Sequence, residues 1–257
     1  MNNLILIKLG GSIITNKKIA YSARKSVIRR LAKELKKNHG GFILAHGSGS
    51  FGHTSAVKYG GKKGYKSKIG IAKVALDAME INKIVMKILV DEGLPVVAFS
   101  PMSMILANAG EMTKSFFEPI TIALDQGLIP VVYGDVVWDK TWNSTIFSGE
   151  TILNKIAIYV ISKGYKVSKI IQVGETNGVY DNNKMTIPLI TKNSWLSVKK
   201  FIFKLKTNDV TGGMLHKIEH ALEMADLNIE TLLINGKIKN ELLHAILGGK
   251  VEGTLIK

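Results

Sequence analysis

Apolar runs and amphipathic segments alternate along the whole chain. Short apolar runs predict strands over residues 3–9, 41–45, 95–99, 129–133, 169–173, 230–234 and 253–256. Apolar residues three or four positions apart predict helices over residues 22–38, 69–92 and 151–163. Residues 136–147 predict a hairpin with its turn at 139–144. Buried strands that alternate with helices predict an α/β protein whose mainly parallel sheet is covered on both faces.

The stretch from His46 to His53, His-Gly-Ser-Gly-Ser-Phe-Gly-His, follows one of these predicted strands. Its three glycines allow backbone N–H groups to approach an anion closely. The residues after Gly52 can open a helix, and the N-terminus of a helix favours negative charge. A histidine at this position, His53, can donate a hydrogen bond to a phosphate oxygen. These residues therefore predict a phosphate pocket.

Two further glycine turns are accompanied by lysines. Lys8 lies near the end of the first strand, just before a pair of glycines, and Lys17 follows them. The segment 208–214, Asn-Asp-Val-Thr-Gly-Gly-Met, precedes a predicted helix that continues to residue 225, with Lys217 on an early turn. Phosphoryl transfer requires positive charge over the moving group. The three lysines can supply that charge if the fold brings them together.

None of these turns is a standard nucleotide motif. A G-x-x-x-x-G-K-[ST] loop does not occur, and the one G-x-G-x-x-G spacing, which begins at Gly47, lacks an acidic residue about twenty positions later. The glycine turns after the strands at residues 3–9 and 41–45, together with Gly134-Asp135, follow predicted strands, so parallel pairing places them on one edge of the sheet. Residues 60–70, rich in glycine and lysine, are either a mobile flap over this edge or an exposed loop.

Composition narrows the possible classes of protein. The chain has 257 residues, enough for one large α/β domain, and we find no interdomain linker. It has no cysteine, which excludes disulfides, thiolate metal sites and cysteine nucleophiles. The net charge of +15 fits a lysine-rich composition with a phosphate site better than nucleic-acid binding, because no nucleic-acid motif occurs. Without a signal segment or a long apolar run, we expect a cytoplasmic protein that binds no membrane.

Five segments together resemble the amino acid kinase superfamily, and most closely its isopentenyl phosphate kinase branch. They are Lys8-Leu9-Gly10-Gly11-Ser12, the stretch from His46 to His53, Gly134-Asp135-Val136, Ser148-Gly149-Glu150 and Asp209-Val210-Thr211-Gly212-Gly213. The resemblance implies an open αβα sandwich in one domain over residues 1–257, with the acceptor phosphate at residues 1–165 and the nucleotide at 166–257. It also implies a homodimer that transfers a phosphoryl group from ATP, with Mg²⁺, to isopentenyl phosphate.

The resemblance further implies the roles of individual residues. Lys8, Lys17 and Lys217 would stabilise the transferred group, and His53 would bind the acceptor phosphate. ATP would contact Lys8, Gly10, Gly11, Ser12, Lys17, Gly174, Tyr180, Asp209, Gly212, Gly213 and Lys217. The acceptor would contact Gly47, Ser48, Gly49, Gly52, His53, Gly134 and Gly149, and its apolar tail would lie among Ile71, Val74, Ala75, Ala78 and Ile146. No side chain would bind the metal, because Mg²⁺ would be held mainly by the phosphates of ATP.

The sequence departs from this family at two segments. Glu150 replaces the aspartate of the usual Ser-Gly-Asp, and residues 174–180, Gly-Glu-Thr-Asn-Gly-Val-Tyr, contain one acid fewer than the family pattern. Three alternatives to an isopentenyl phosphate kinase stay open. They are a kinase for fosfomycin or another small acid, an inactive binding or regulatory protein, which the two departures suggest, and a zinc peptidase. The last rests on H-x-x-E-H from His216 to His220, whose two histidines share a helix face.

Overall fold

An eight-stranded sheet runs through the centre of the computed structural model, which describes residues 3–38, 40–61, 63–65, 67–204 and 213–257. The strands are β1 (Asn3–Leu9), β2 (Phe42–His46), β3 (Gly60–Gly61), β4 (Gly64–Tyr65), β5 (Val96–Ala98), β6 (Ile105–Asn108), β7 (Glu111–Ser115), β8 (Ile129–Tyr133), β9 (Asp135–Asp139), β10 (Asn143–Phe147), β11 (Lys166–Gly174), β12 (Leu189–Ile190), β13 (Glu230–Asn235) and β14 (Gly253–Ile256). The helices are α1 (Gly11–Ile14), α2 (Lys25–Leu35), α3 (Gly49–Tyr59), α4 (Lys68–Asp91), α5 (Pro101–Met104), α6 (Glu118–Asp125), α7 (Gly149–Ser162), α8 (Lys192–Lys204), α9 (Gly213–Ala225) and α10 (Glu241–Leu247).

The central sheet has the order β12-β14-β13-β11-β1-β2-β8-β5. Its neighbouring strands are parallel except for β13 and β14. The predicted mainly parallel α/β sheet is therefore confirmed. Strands from both the acceptor part and the nucleotide part predicted from the sequence belong to this sheet, because β11 lies directly beside β1.

Alternate residues of β1 face opposite layers of helices, as the two-residue period of a strand requires. Ile7 and Leu9 pack in a core with α2, α4 and α10, whereas Leu4 and Leu6 pack in a second core with α6 and α7. The sheet is thus covered on both faces, which confirms the expected αβα layering. Because Lys8 follows the same alternation, it lies on the face that α7 covers.

A second, four-stranded sheet with the order β10-β9-β6-β7 was not predicted in full. The expected hairpin over residues 136–147 is present as β9 and β10, but β6 and β7 gave no strand signal. Four of the five residues of β7 are exposed and most are polar, so the strand has no alternating apolar face to recognise.

The helix expected over residues 22–38 is shorter at its N-terminal end, where it begins at Lys25. The preceding residues bond elsewhere: Ala23 forms an antiparallel bridge with Thr15, and the Arg24 amide donates to the Ile14 carbonyl. Helix α8, which lies between β12 and the undescribed segment 205–212, was also not predicted. No helix within the described ranges is both long enough and apolar enough to cross a membrane.

The carboxyl ends of five central strands are aligned. Tyr133 of β8, His46 of β2, Leu9 of β1, Val173 of β11 and Ile234 of β13 pair in one continuous row. The turns that leave these strands therefore meet at one edge of the sheet, as the sequence predicted, and a large cleft opens there.

Candidate active site

The cleft has a volume of about 1280 Å³. Residues from both the N-terminal and the C-terminal parts of the chain line it. Among the residues proposed from the sequence, those at the cleft are Lys8, Gly10, Gly11, Ser12, Lys17, Gly47, Ser48, Gly49, Gly52, His53, Gly134, Ile146, Gly149, Gly174, Tyr180, Gly213 and Lys217. Asp209 and Gly212 lie outside the described residues.

Two of the glycine turns touch each other through their backbones. A Cβ atom added at Gly11 would lie 2.7 Å from the amide nitrogen of Gly49, and one at Gly47 would lie 2.8 Å from the amide nitrogen of Gly11. Gly49 also has a φ of +51°, which disfavours residues with a side chain. Only glycines allow the turn after β1 and the turn after β2 to approach this closely.

Lys8 is buried at the base of the cleft and forms an ion pair with Glu150. The Lys8 Nζ atom donates to Glu150 Oε2 over 3.2 Å, and both residues are less than one-tenth exposed. Glu150 lies in the first turn of α7, and Ser148 caps that helix by accepting from the Thr151 amide at 3.0 Å. The glutamate that departs from the family pattern therefore reaches the lysine that the sequence analysis proposed as catalytic.

The other predicted cations and donors enter the cleft from three different elements. Lys17 lies exposed in the loop after α1, His53 is exposed on the second turn of α3, and Lys217 is half-buried on α9. Three lysines and a histidine from separate parts of the chain thus line one cavity. Such an arrangement can neutralise the charge of several phosphate groups.

Residues 174–180, which begin at the last residue of β11, line another side of the cleft. Side-chain hydrogen bonds hold this segment in place. Asn235 Nδ2 donates to Asn177 Oδ1 over 2.7 Å, and the Val179 amide donates to Thr254 Oγ1 over 2.8 Å. Gly178 has a φ of +106°, and a Cβ there would lie 2.7 Å from the Thr254 amide nitrogen. Neither Asn235 nor Thr254 could be identified from the sequence, because neither belongs to a recognisable pattern.

Glu175 on this side is held by two cations. Its Oε1 atom lies 2.7 Å from an Arg24 guanidinium nitrogen and 3.0 Å from Lys237 Nζ. Partial burial alone would raise the pKa of Glu175, but the hydrogen bonds and charges of Lys237 and Arg24 lower this pKa below its ordinary value. The ion pairs connect three segments distant in sequence at the edge of the cleft. Asp181, which lies just beyond this segment, accepts hydrogen bonds from the Asn183 and Met185 amides of its own turn.

A different carboxylate, Asp135, is buried next to Gly134, and no ion pair of the described residues includes it. Its Oδ1 atom accepts from the Val136 amide at 2.7 Å. Burial raises the pKa of Asp135 to about 7, although the Val136 hydrogen bond opposes the shift. This carboxyl group is therefore partly protonated at neutral pH.

His46, the first residue of the glycine-rich stretch, is structural. Its ring is fully buried, stacks on Tyr133 and has Nε2 at 3.0 Å from Asn82 Oδ1. Burial lowers the pKa of His46, so the ring stays neutral. The His46 carbonyl accepts from the Gly134 amide at 2.9 Å, and a Cβ at Gly149 would lie 2.5 Å from that oxygen.

Of the apolar residues predicted to hold the tail of the acceptor, some line the cleft and others do not. Ile146 of β10 lines the cleft together with Phe147 and Val57. Ile71, Val74, Ala75 and Ala78 belong to α4 and do not line the cleft as far as its described walls extend; Val74 and Ala78 are buried. Of the residues predicted for the tail, only Ile146 therefore lines the described part of the cleft, and the place of the α4 residues in a tail site stays a prediction.

The H-x-x-E-H segment shows no metal site. Lys199 Nζ donates to Glu219 Oε1 over 2.8 Å, and His216 Nδ1 lies 3.6 Å from the other oxygen of Glu219. Within the described part of the chain, no three His, Asp or Glu side chains are grouped so as to hold a metal ion. The glutamate that a zinc peptidase would use as its base is engaged in ion pairs on the helix surface.

An αβα sandwich with glycine turns and lysines at one edge of its sheet is typical of a class of phosphotransferases. Comparison with known proteins gives the same class. The model of the amino acid kinase family matches residues 3–235. The chain belongs to the amino acid kinase family and is a kinase whose phosphoryl donor is ATP.

Its relatives narrow the similarity further. The isopentenyl phosphate kinase of Methanothermobacter thermautotrophicus is 30% identical, with 98% of each chain covered. The isopentenyl phosphate kinase of Methanocaldococcus jannaschii is 31% identical over the same shares. A crystal structure of an isopentenyl phosphate kinase superposes with a TM-score of 0.83 at 27% identity, covering 99% of this chain and 100% of the other.

Proposed function

We propose that this kinase transfers the γ-phosphoryl group of ATP to isopentenyl phosphate, which yields isopentenyl diphosphate and ADP. The observation that carries the proposal is the direct backbone contact between the turn at Gly11 and the turn at Gly47 and Gly49. It brings two sets of glycine N–H groups to one cleft, as a reaction between two phosphate groups requires. The similarity to isopentenyl phosphate kinases over nearly the whole chain supports this choice of acceptor.

The acceptor is assigned to the N-terminal part, residues 1–165. The phosphate of isopentenyl phosphate lies against the backbone of Gly47, Ser48, Gly49 and Gly52, with His53 donating to one oxygen and Gly134 and Gly149 nearby. The five-carbon tail extends toward Ile146, one of the apolar side chains at the cleft. Burial of such a tail contributes about 0.8 kcal/mol per CH₂ group.

The nucleotide is assigned mainly to the C-terminal part, residues 166–257. The segment from Gly174 to Tyr180 and the start of α9 at Gly213 surround it, and Asp209 and Gly212 belong to the same proposed site. Gly10, Gly11 and Ser12 contact the β- and γ-phosphates. Lys8, Lys17 and Lys217 then surround the space between donor and acceptor, which the cleft allows because all three line it.

The transfer needs positioning and charge rather than a general base. The second pKa of a phosphate monoester is about 6, so the acceptor oxygen is largely ionised at neutral pH. That oxygen forms a bond to the γ-phosphorus while the bond to the β,γ-bridging oxygen breaks and its electron pair leaves with ADP. The three lysines stabilise the charge on the transferred group, and Glu150 keeps Lys8 in place.

Magnesium is proposed to bind mainly through the phosphates of ATP. Glu150, behind the cleft, is paired with Lys8, and Glu175, which lines the cleft, is paired with Arg24 and Lys237. Asp181, which also lines the cleft, accepts from two amides of its own turn. Magnesium bound to a nucleotide keeps several waters and needs few protein ligands, which fits this set of residues. When bound, the ion neutralises charge on the β- and γ-phosphates.

The proposal is tested by ADP release from purified protein with Mg-ATP and parallel acceptors: isopentenyl phosphate, dimethylallyl phosphate, fosfomycin and acidic amino acids. We expect strong selectivity for isopentenyl phosphate. Activity on fosfomycin alone would replace the acceptor, and ATP binding without turnover of any acceptor would favour a regulatory protein. A His53→Ala variant is expected to lose most turnover with little change in thermal stability, because the His53 side chain is exposed.

By the same resemblance we propose a homodimer located in the cytoplasm. Analytical ultracentrifugation across a range of protein concentrations tests the dimer. A species with twice the 28.1 kDa mass of the chain is expected, and a monomer at all concentrations would contradict it.

A further inference from the structure

Thr15 lies behind the cleft, between the two glycine turns. It is completely buried at the end of α1. Its hydroxyl donates to the Gly11 carbonyl over 2.7 Å and accepts from the Ser50 amide over 2.9 Å. One side-chain oxygen therefore bonds both the turn after β1 and the first residues of α3.

The same residue closes the loop that carries Lys17. Thr15 forms an antiparallel bridge with Ala23, and within this bridge the Asn16 amide donates to the Ser22 carbonyl over 2.8 Å. The Ser22 amide in turn donates to the Ser50 hydroxyl over 3.2 Å. Both ends of the Lys17 loop are thus tied to Ser50, which is buried in the first turn of α3.

We propose that Thr15 is a positioning residue that fixes the two phosphate sites and the Lys17 loop relative to each other. A hydroxyl is suited to this place because it donates and accepts at once, whereas a methyl group of the same size does neither. Gly49 also packs directly against Thr15, because a Cβ at Gly49 would collide with the Thr15 side chain. The hydroxyl therefore sets the spacing at which the backbones of Gly11 and Gly49 meet.

The expected consequence is a loss of turnover rather than of binding. A misplacement of reacting groups by about 1 Å lowers the rate by up to about 100-fold, even when each substrate is still bound. This inference rests on the proposed transfer between two phosphate groups. Thr15→Val keeps the shape and removes the hydroxyl, whereas Thr15→Ser keeps the hydroxyl and removes only a methyl group, so the pair forms a matched test.

The experiment measures kcat and both KM values for the wild type, Thr15→Val and Thr15→Ser with Mg-ATP and isopentenyl phosphate, together with thermal midpoints. We expect Thr15→Val to lower kcat by about tenfold to 100-fold with each KM changed by less than about threefold, and Thr15→Ser to restore most of kcat. A lower thermal midpoint with unchanged kcat would show a purely structural role and overturn the proposal. An inactive wild type would instead refute the proposed reaction.

Hydrogen exchange supplies a second measurement if Thr15→Val does not fold. The Ser50 amide in the wild-type protein and in Thr15→Ser is expected to exchange slowly, because its partner is a buried hydroxyl. Exchange of this amide as fast as that of an exposed loop would mean that the hydrogen bond to Thr15 is absent, and would contradict the proposal.

Discussion

The two sides of the cleft are held in place by different kinds of contact. On the side proposed for the acceptor, Gly47 and Gly49 meet the turn at Gly11 backbone against backbone, and Gly149 lies against the His46 carbonyl in the same manner. On the side proposed for the nucleotide, residues 174–180 are fixed by side chains, through Asn177 with Asn235, Val179 with Thr254 and Glu175 with two cations.

The difference shows where sequence can vary without loss of the site. A backbone contact at 2.7–2.8 Å from a missing Cβ leaves no alternative to glycine. A network of side-chain hydrogen bonds can be built from several residue combinations, since each needs only a matching donor and acceptor. The departure from the family pattern at residues 174–180 lies on the side proposed for the nucleotide, where such exchange is possible.

The largest effect on kcat is expected for Lys8, whose charge is proposed to lie between the two substrates. Lys8→Met removes the buried ammonium group and should lower kcat by about 10²- to 10³-fold, because a preorganised charge at the transferred group is lost. Steady-state kinetics with both substrates saturating measure this effect. Glu150→Gln is the control: it keeps the charge of Lys8 and weakens only the ion pair, so we expect a loss of less than about tenfold. A Lys8→Met enzyme that retains a tenth of wild-type kcat would contradict the assignment.

Replacing one glycine on each side of the cleft with alanine should change the KM of a different substrate. Gly49→Ala is expected to raise the KM for isopentenyl phosphate by about tenfold or more, because its Cβ forces the acceptor turn away from Gly11. Gly178→Ala is expected to raise the KM for ATP instead, because its Cβ meets the Thr254 backbone. Each KM is measured with the other substrate saturating.

Gly127→Ala provides the control for these glycine variants. Gly127 also has a positive φ, +75°, but no atom lies within 4 Å of an added Cβ, so only the backbone strain is shared. Both KM values should remain at the wild-type level. If Gly49→Ala and Gly178→Ala raise the same KM, the division of the cleft into two sides is wrong.

The two carboxylates near the cleft predict opposite pH effects on stability. Native Asp135 keeps its proton up to a pKa of about 7, whereas the unfolded group releases it near 3.8. Between these values the native state binds more protons, so the stability that Asp135 contributes falls as the pH rises. At pH 8 the free energy of unfolding of Asp135→Asn should therefore exceed that of the wild type by about 1–2 kcal/mol, which is seen as a higher urea midpoint. At pH 4 the two proteins should differ little.

Glu175 has the opposite sign. Its native pKa is lowered, so its contribution is present above the ordinary carboxylate pKa and is lost as the pH falls through the native value. Glu175→Gln should be less stable than the wild type at pH 8 by about 0.5 kcal/mol, because the partners are partly exposed. Urea unfolding at both pH values tests the pair. Parallel shifts of the two variants would contradict the contrast between an unpaired and a paired carboxylate.

The smallest change in catalysis is expected for the acceptor tail. Ile146→Ala enlarges the cleft where the tail is assigned and should improve kcat/KM for a ten-carbon prenyl phosphate relative to isopentenyl phosphate by about tenfold or less. Val74→Ala is the matched control, since Val74 is buried in α4 away from the described cleft lining. An unchanged preference in Ile146→Ala, or an equal change in Val74→Ala, would remove Ile146 from the tail site.

The central sheet could be predicted from the sequence because its strands are buried on both faces and form continuous apolar runs. The contact between the turns at Gly11, Gly47 and Gly49 was predictable for a related reason: close backbone approach leaves glycines at fixed spacings. β7 was not predictable, because an exposed polar strand has neither signal. Asn235, Thr254 and Thr15 were missed because single polar residues reveal their partners only after distant segments have been brought together.

Phosphoryl transfer between two phosphate groups is the central claim for this kinase. ³¹P NMR follows that transfer directly, without a coupled assay. Wild-type protein with Mg-ATP and isopentenyl phosphate should convert the single resonance of the monophosphate into the two coupled resonances of a diphosphate, while Lys8→Met should leave it almost unchanged. Release of inorganic phosphate with the isopentenyl phosphate resonance intact would mean that water is the acceptor, and would contradict the account.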